Sequence, residues 1–201
     1  AQSLRTNKTY TIGLLIPSID NPYFATIASE IVFEAKRYGY TVILLDTLED
    51  EGNESECINT LLTRSIDGII LVPCGERPES LEKIDEQTPI VLIDRYFEDT
   101  SLSYICTDNY RGALDGVKLL IENGHKEILC IRGVPHSMPS KERVKGYIDA
   151  LRESGFDTRS RIAGNDYSIT NGYLETKLAI GSPARPTAIF ALSNTIMLGA
   201  I

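Results

Sequence analysis

The stretch IGLLIPSIDNPYFATI, residues 12–27, decides how the chain folds. An unbroken apolar run ends at Pro17, a short polar loop follows, and Asn21-Pro22 opens a second apolar pattern of different period. Asn is a favoured N-cap and Pro suits the first helical position. Phe24, Ile27, Ala28, Ile31, Val32 and Ala35 then recur at helical spacing, and Gly39 closes the run. A strand that is apolar throughout, followed by an amphipathic helix, is the unit of a parallel sheet buried on both faces.

The same unit recurs downstream. TVILLD (41–46), IDGIILVP (66–73), PIVLID (89–94) and SYICTD (103–108) read as strands. Helices are expected after Asn53 as cap, over PESLEKIDE, and over 109–123 with Gly124 as its stop. A second series follows: KEILCIRG (126–133), a helix capped by Ser140 and stopped at Gly155, a short strand RIAGND (161–166), a helix to about Ile180, and TAIFAL (187–192). SNTIMLGAI reads as the first turns of one more helix, so the second series stops at three strands. Strands alternating with helices in two series predict an α/β chain of two doubly wound parallel-sheet lobes, the second incomplete. The expected division is 1–9 as linker, 10–124 as the first lobe and 125–201 as part of the second.

Composition narrows the function. The 201 residues carry a net charge of -8, which repels phosphate backbones, so they are not expected to grip nucleic acid by themselves. No apolar stretch approaches the roughly 20 residues of a membrane span, and the polar start AQSLRTNKTY shows no signal peptide. Cys57, Cys74, Cys106 and Cys130 form no CxxC pair and read as buried thiols of a reducing compartment, the cytoplasm. There is no GxGxxG, no P-loop and no GxSxG elbow. His125 and His136 lack ligands at metal spacing. No enzyme, no cofactor and no metal are expected.

In open parallel sheets ligands settle beyond the carboxyl ends of the strands. Those positions hold Ser18, Asp20, Tyr23 and Phe24 after the first strand, Cys74-Gly75-Glu76 after the third, Arg95 after the fourth, and Asp108-Asn109 after the fifth. The second series adds Ser137, Ser140, Arg143, Asp166-Tyr167 and Ser193-Asn194. Flat rings beside a carboxylate, a guanidinium and an amide suit sugars and purines, whose faces are apolar and whose edges form hydrogen bonds. Phe24 also fits core packing, whereas Tyr23 lies off the apolar stripe. Asp108 also fits a helix cap. Arg143 stands near the positive end of its helix, an unfavourable place for a cation that an acceptor would offset.

SLRTNKTYTIGLLIPSIDNPYFA, DGIILVP, PIVLIDR, TDNYRGA, LIENGHKEILCIRG, the SKERVKGYIDAL run with its R-x-x-G-Y, and PTAIFALSNTIMLGAI together resemble the bacterial lactose-repressor/galactose-repressor (LacI/GalR) regulators, over essentially the whole sequence. The resemblance implies a type I periplasmic-binding-protein-like fold of two lobes hinged around a small effector. It also implies a homodimer and an N-terminal helix-turn-helix head that reads operator DNA, of which only the end of the hinge (SLRT) is in this sequence. The family's sensor continues past Ile201. Carried over by motif, the effector contacts are Ser18, Tyr23, Phe24, Asp108, Arg143, Tyr167 and Asn194. Where the family has Asn-Asp, this sequence has Asn194-Thr195. The effector class implied is a sugar, a sugar phosphate or a purine. A periplasmic solute-binding protein shares the fold and is the alternative reading.

Overall fold

The computed structural model describes residues 8–75, 78–156 and 161–201. The SLRT segment and Glu76 lie outside them. Two compact units divide between Cys106 and Thr107. The first holds, in chain order, β1 (Thr11–Ile16), α1 (Pro22–Arg37), β2 (Thr41–Asp46), α2 (Glu51–Leu62), β3 (Gly68–Leu71), α3 (Glu79–Asp85), β4 (Ile90–Ile93) and β5 (Ser103–Ile105). Its strands form one parallel sheet in the order β2-β1-β3-β4-β5. Thr11 pairs with Thr41 on one side of β1, and Ile12 with Gly68 on the other.

Burial explains that order. Leu14, Leu15 and Ile16 of the interior strand β1 have 0% exposure. Leu14 and Ile16 pack with Phe24 and Ala28 of α1 on one face. Leu15 packs on the other with Ile58 and Leu61 of α2 and Leu81 of α3. Each such side chain contributes roughly 1.5–3 kcal/mol when withdrawn from water. β5 is the opposite case: all three residues are exposed, and it forms one edge of the sheet. Tyr104 of β5 stacks on Tyr96 with ring centroids 4.5 Å apart.

The second unit contains α4 (Asn109–Glu122), β6 (Ile128–Ile131), α5 (Met138–Glu153), β7 (Arg161–Ala163), α6 (Ile169–Gly181), β8 (Ala188–Ala191) and α7 (Asn194–Ala200). Its parallel sheet runs β7-β6-β8. Ile128 and Cys130 pack with Leu114 and Val117 of α4 and Tyr147 of α5, while Leu129 and Ile131 pack with Ile196 of α7 on the opposite face. The expected boundary at Gly124 is therefore corrected to Cys106/Thr107. Gly124 ends a helix but not a unit, because α4 buries its apolar face in the second core.

Two expected caps are also corrected. Asp50, not Asn53, caps α2: its carboxylate accepts the Asn53 N–H at 2.7 Å. Ser137, not Ser140, is the N-cap residue of α5, and Ser140 lies inside the first turn. Asn21 caps α1 by accepting the Tyr23 N–H, as expected. The cysteine expectation holds only in part, since Cys130 is buried but Cys106 is exposed at the sheet edge.

The R-x-x-G-Y run shows why a glycine stands at 146. A Cβ there would lie 2.5 Å from the Tyr110 carbonyl oxygen and 2.9 Å from the Leu114 nitrogen. Both are backbone atoms of α4 that cannot swing aside, so α5 packs on α4 only without that methyl. The neighbouring Tyr147 is buried and donates its hydroxyl to the Ile128 carbonyl at 2.8 Å. Gly146→Ala is expected to lower unfolding free energy by about 1–3 kcal/mol despite the higher helix propensity of alanine. Denaturant titration of the two proteins measures it, and an unchanged or higher midpoint refutes the close-packing account.

Candidate functional site

In the first unit, the loops after β1, β2, β3 and β4 are stitched together by charged side chains. Arg95 is buried and forms a two-pronged pair with Glu49, at 2.8 and 2.7 Å. It also donates to the Pro73 carbonyl at 3.4 Å. One guanidinium thus spans from the β4 end across β3 to the loop after β2. Two parallel N–H···O bonds fix direction as well as distance, which a lysine in this place does not do. Asp94, just before it, adopts a left-handed φ of 64° and donates its N–H to the Ile105 carbonyl.

Tyr23 stands over this floor. The residue is 40% exposed, and its hydroxyl donates to Asp94 Oδ1 at 2.8 Å. The Phe24 ring meets it edge-on, with centroids 5.1 Å apart and planes at 68°. Phe24 itself is buried with Leu14, Ile16 and Ala28. Phe24 thus takes the core place that its apolar stripe also allowed, and it braces Tyr23, which offers the more accessible ring. Ser18 is half-buried at the β1 end.

Beneath the same loops Glu54 is 5% exposed, and its carboxylate accepts the Cys74 N–H at 2.7 Å. Burial raises its pKa above the ordinary 4.5, and the Cys74 bonds oppose that only in part. Burial likewise pushes the Cys74 thiol up to about 12, so it is no thiolate nucleophile. It lies 3.0 Å from the Thr47 hydroxyl.

In the second unit the strand ends gather most of the remaining expected residues. Arg143 Nε donates to Asn109 Oδ1 at 2.8 Å, and its NH1 group donates to the Leu192 carbonyl at the end of β8. Asn109 in turn donates to Glu142 at 3.1 Å. Asp108 is exposed and caps α4, accepting the Arg111 N–H at 2.8 Å. Tyr167 lies after β7, with its hydroxyl 2.8 Å from Ser137 Oγ. A Cβ on Gly133 would fall 2.0 Å from the Tyr167 ring, so the ring occupies the space that a side chain at 133 would fill. Thr195 donates its hydroxyl to the Tyr167 carbonyl and lies 3.0 Å from Ser193 Oγ. An ionised aspartate, acceptor-only, cannot donate to that carbonyl, which gives the Asn194-Thr195 departure a local physical reason. Asn194 is the first residue of α7.

Tyr23 and Ser18 therefore belong to one unit, and Asp108, Arg143, Tyr167 and Asn194 to the other. Asp94, Glu49 and Glu54 were not among the expected site residues. PIVLID ending in an acid just before Arg95 is the signal that could have found Asp94. Among the described residues no group of three or more His, Cys, Asp or Glu is placed to hold a metal.

Residues 9–201 match the family model described as periplasmic binding proteins and sugar binding domain of LacI family. The chain belongs to this family. The LacI-family assignment agrees with its relatives. It is 32% identical over 202 residues to the NTD biosynthesis operon regulator NtdR of Bacillus subtilis, covering 100% of this chain and 61% of that protein. It is 32% identical over 205 residues to the HTH-type transcriptional repressor CytR of Escherichia coli, covering 100% and 59%. The crystal structure of the transcription regulator CcpA of Lactococcus lactis superposes with a TM-score of 0.83 at 27% identity, over 94% of this chain and 70% of that one. The chain thus spans about three-fifths of the length of these curated relatives.

The raised pKa of Glu54 gives this LacI-family chain a pH signature. The fold favours the protonated carboxyl, so its stabilising contribution is fully present below the unfolded value of 4.5. It is lost as pH rises through the raised folded value. Glu54→Gln keeps the uncharged form at every pH. Its melting temperature is expected to exceed that of the parent at pH 7.5, with the gap closing by pH 4. Superimposable melts at pH 7.5 sink this assignment.

Proposed function

We propose that the chain is the effector-sensing part of a DNA-binding transcription regulator, most simply a repressor. It takes a small polar ligand, a sugar or sugar derivative, and controls operator binding through it. The observation that carries this reading is Arg143. It is half-buried and held by Asn109 and Leu192, so two of its donors set its direction while the rest of the guanidinium remains to meet an acceptor. Tyr167, Asp108 and Asn194 of the same unit supply a stacking surface and further hydrogen bonds, and in the first unit Tyr23 and Ser18 likewise stand at strand ends.

Control follows from differential affinity. A ligand shifts a conformational equilibrium only as far as it prefers one state over the other, and a coupling of roughly 1–3 kcal/mol is typical. The DNA-reading part is an N-terminal helix-turn-helix head outside these residues, working as a pair in a homodimer in the cytoplasm. Exposed Val32, Phe33 and Tyr38 on and beside α1 favour pairing with a second copy. The named relatives are regulators and repressors, which favours this reading over a periplasmic solute-binding protein.

The test begins with a thermal-shift screen of the full-length protein against ribose, glucose 6-phosphate and hypoxanthine, since a ligand of the native state raises the melting temperature by mass action. With the ligand so found, Arg143→Ala is expected to bind operator but no longer respond to it in fluorescence anisotropy. A variant that answers the same ligand concentration as the parent overturns the role given to Arg143.

A further inference from the structure

Apart from the strand-end groups, a hollow of about 420 Å³ runs along one flank of α5. That volume lies in the range of small-molecule sites. Two adjacent rows of the helix line it: Ser140, Val144, Ile148 and Arg152 in one, Lys141, Lys145 and Asp149 in the other. Arg132 and Pro135, after β6, close one side. Arg143 lies on neither row, and its partners Asn109 and Leu192 do not line the hollow.

The lining is cationic in a chain of net charge -8. Four basic side chains face one carboxylate. That carboxylate, Asp149, is taken up by Arg152 at 2.5 Å and by the Tyr110 hydroxyl at 3.2 Å. Arg132 is anchored through Nε to the Gly164 carbonyl at 3.1 Å, which leaves its terminal nitrogens for another acceptor. Lys145 lies 5.4 Å from the centre of the Tyr110 ring. Among the described residues neither Lys141 nor Lys145 has a carboxylate within ion-pair distance. Two like charges four residues apart on a helix repel, and an anion held between them removes that repulsion.

A second observation points to a ligand. Ser140 is 1% exposed, and its hydroxyl has no hydrogen-bond partner. Buried hydroxyls are normally satisfied, and this one belongs to the lining of the hollow. The first turn of α5 also carries no acidic residue and no side-chain cap bond, so its positive dipole end is not offset locally.

We infer that this hollow is a second anion site, separate from the strand-end groups, which takes a small phosphomonoester of about sugar-phosphate size. Lys141, Lys145 and Arg132 hold the phosphoryl oxygens, Ser140 donates to one of them, and Val144 and Ile148 meet the apolar side of the carrier. The inference does not depend on Arg143 contacting an effector.

Isothermal titration of the full-length chain with glucose 6-phosphate, inorganic phosphate and glucose tests it. Glucose 6-phosphate is expected to bind saturably, inorganic phosphate more weakly, and glucose not at this site. Lys141→Gln/Lys145→Gln is expected to weaken glucose 6-phosphate binding at least about tenfold, the loss of one or two charge-assisted bonds. Both lysines are exposed, so the variant is expected to fold with an unchanged melting temperature. Arg143→Ala leaves this binding within about twofold of the parent, which also separates failure here from failure of the effector site. The inference is overturned if glucose 6-phosphate does not bind, if inorganic phosphate alone binds, if the double variant binds like the parent, or if Arg143→Ala removes the binding.

Discussion

Leu14, Leu15 and Ile16 leave no polar face on the interior strand β1 of the first sheet, since each is fully withdrawn from water on one side or the other. A parallel strand covered on both faces has only its ends in which to place a hydrogen-bonding group. That restriction gathers Glu49, Pro73, Asp94 and Arg95 at one rim, where they bond to one another. The second sheet repeats the logic with β6, and its rim collects Asn109, Arg143, Leu192 and Tyr167. The chemistry lies at the margins because the interiors have no room for it.

Much of this was legible in the residues. β3, β4 and β6 fell inside their apolar runs, because a strand covered on both faces admits few polar residues. Asn21-Pro22 announced α1 because both residues act through the local backbone. Cap choice was harder: Asp50 and Asn53 are both good caps three residues apart, and the turn through Leu48 and Glu49, both at φ 55°, settles it for Asp50. The unit boundary was hidden because a glycine stop marks the end of a helix and says nothing of which core the helix covers. Phe24 was ambiguous for a related reason, as one apolar stripe serves equally for core and for cleft until the neighbouring side chains are known.

The site shows the same division. Arg143 was readable because a cation near a helix start needs a reason. Its support by Asn109 and Leu192, and the bracing of Tyr23 by Asp94, are contacts across 34, 49 and 71 residues that no local pattern encodes. The hollow on α5 escaped for another reason. Lys141 and Lys145 look in sequence like the solvated face of any helix, and only the missing carboxylates and the buried Ser140 hydroxyl set them apart.

The margin strand β5 carries a hazard and its remedy together. Two of its three side chains, Tyr104 and Ile105, are large and apolar yet exposed, the composition that invites a foreign strand to zip alongside. Brevity restrains it: three residues offer a template too short to nucleate such pairing, and the Tyr96 ring lies flat across one of them. Lengthening that strand by even one alternating pair would trade a quiet border for a sticky one, so drift at residues 100–106 is bounded by colloidal behaviour as well as by folding.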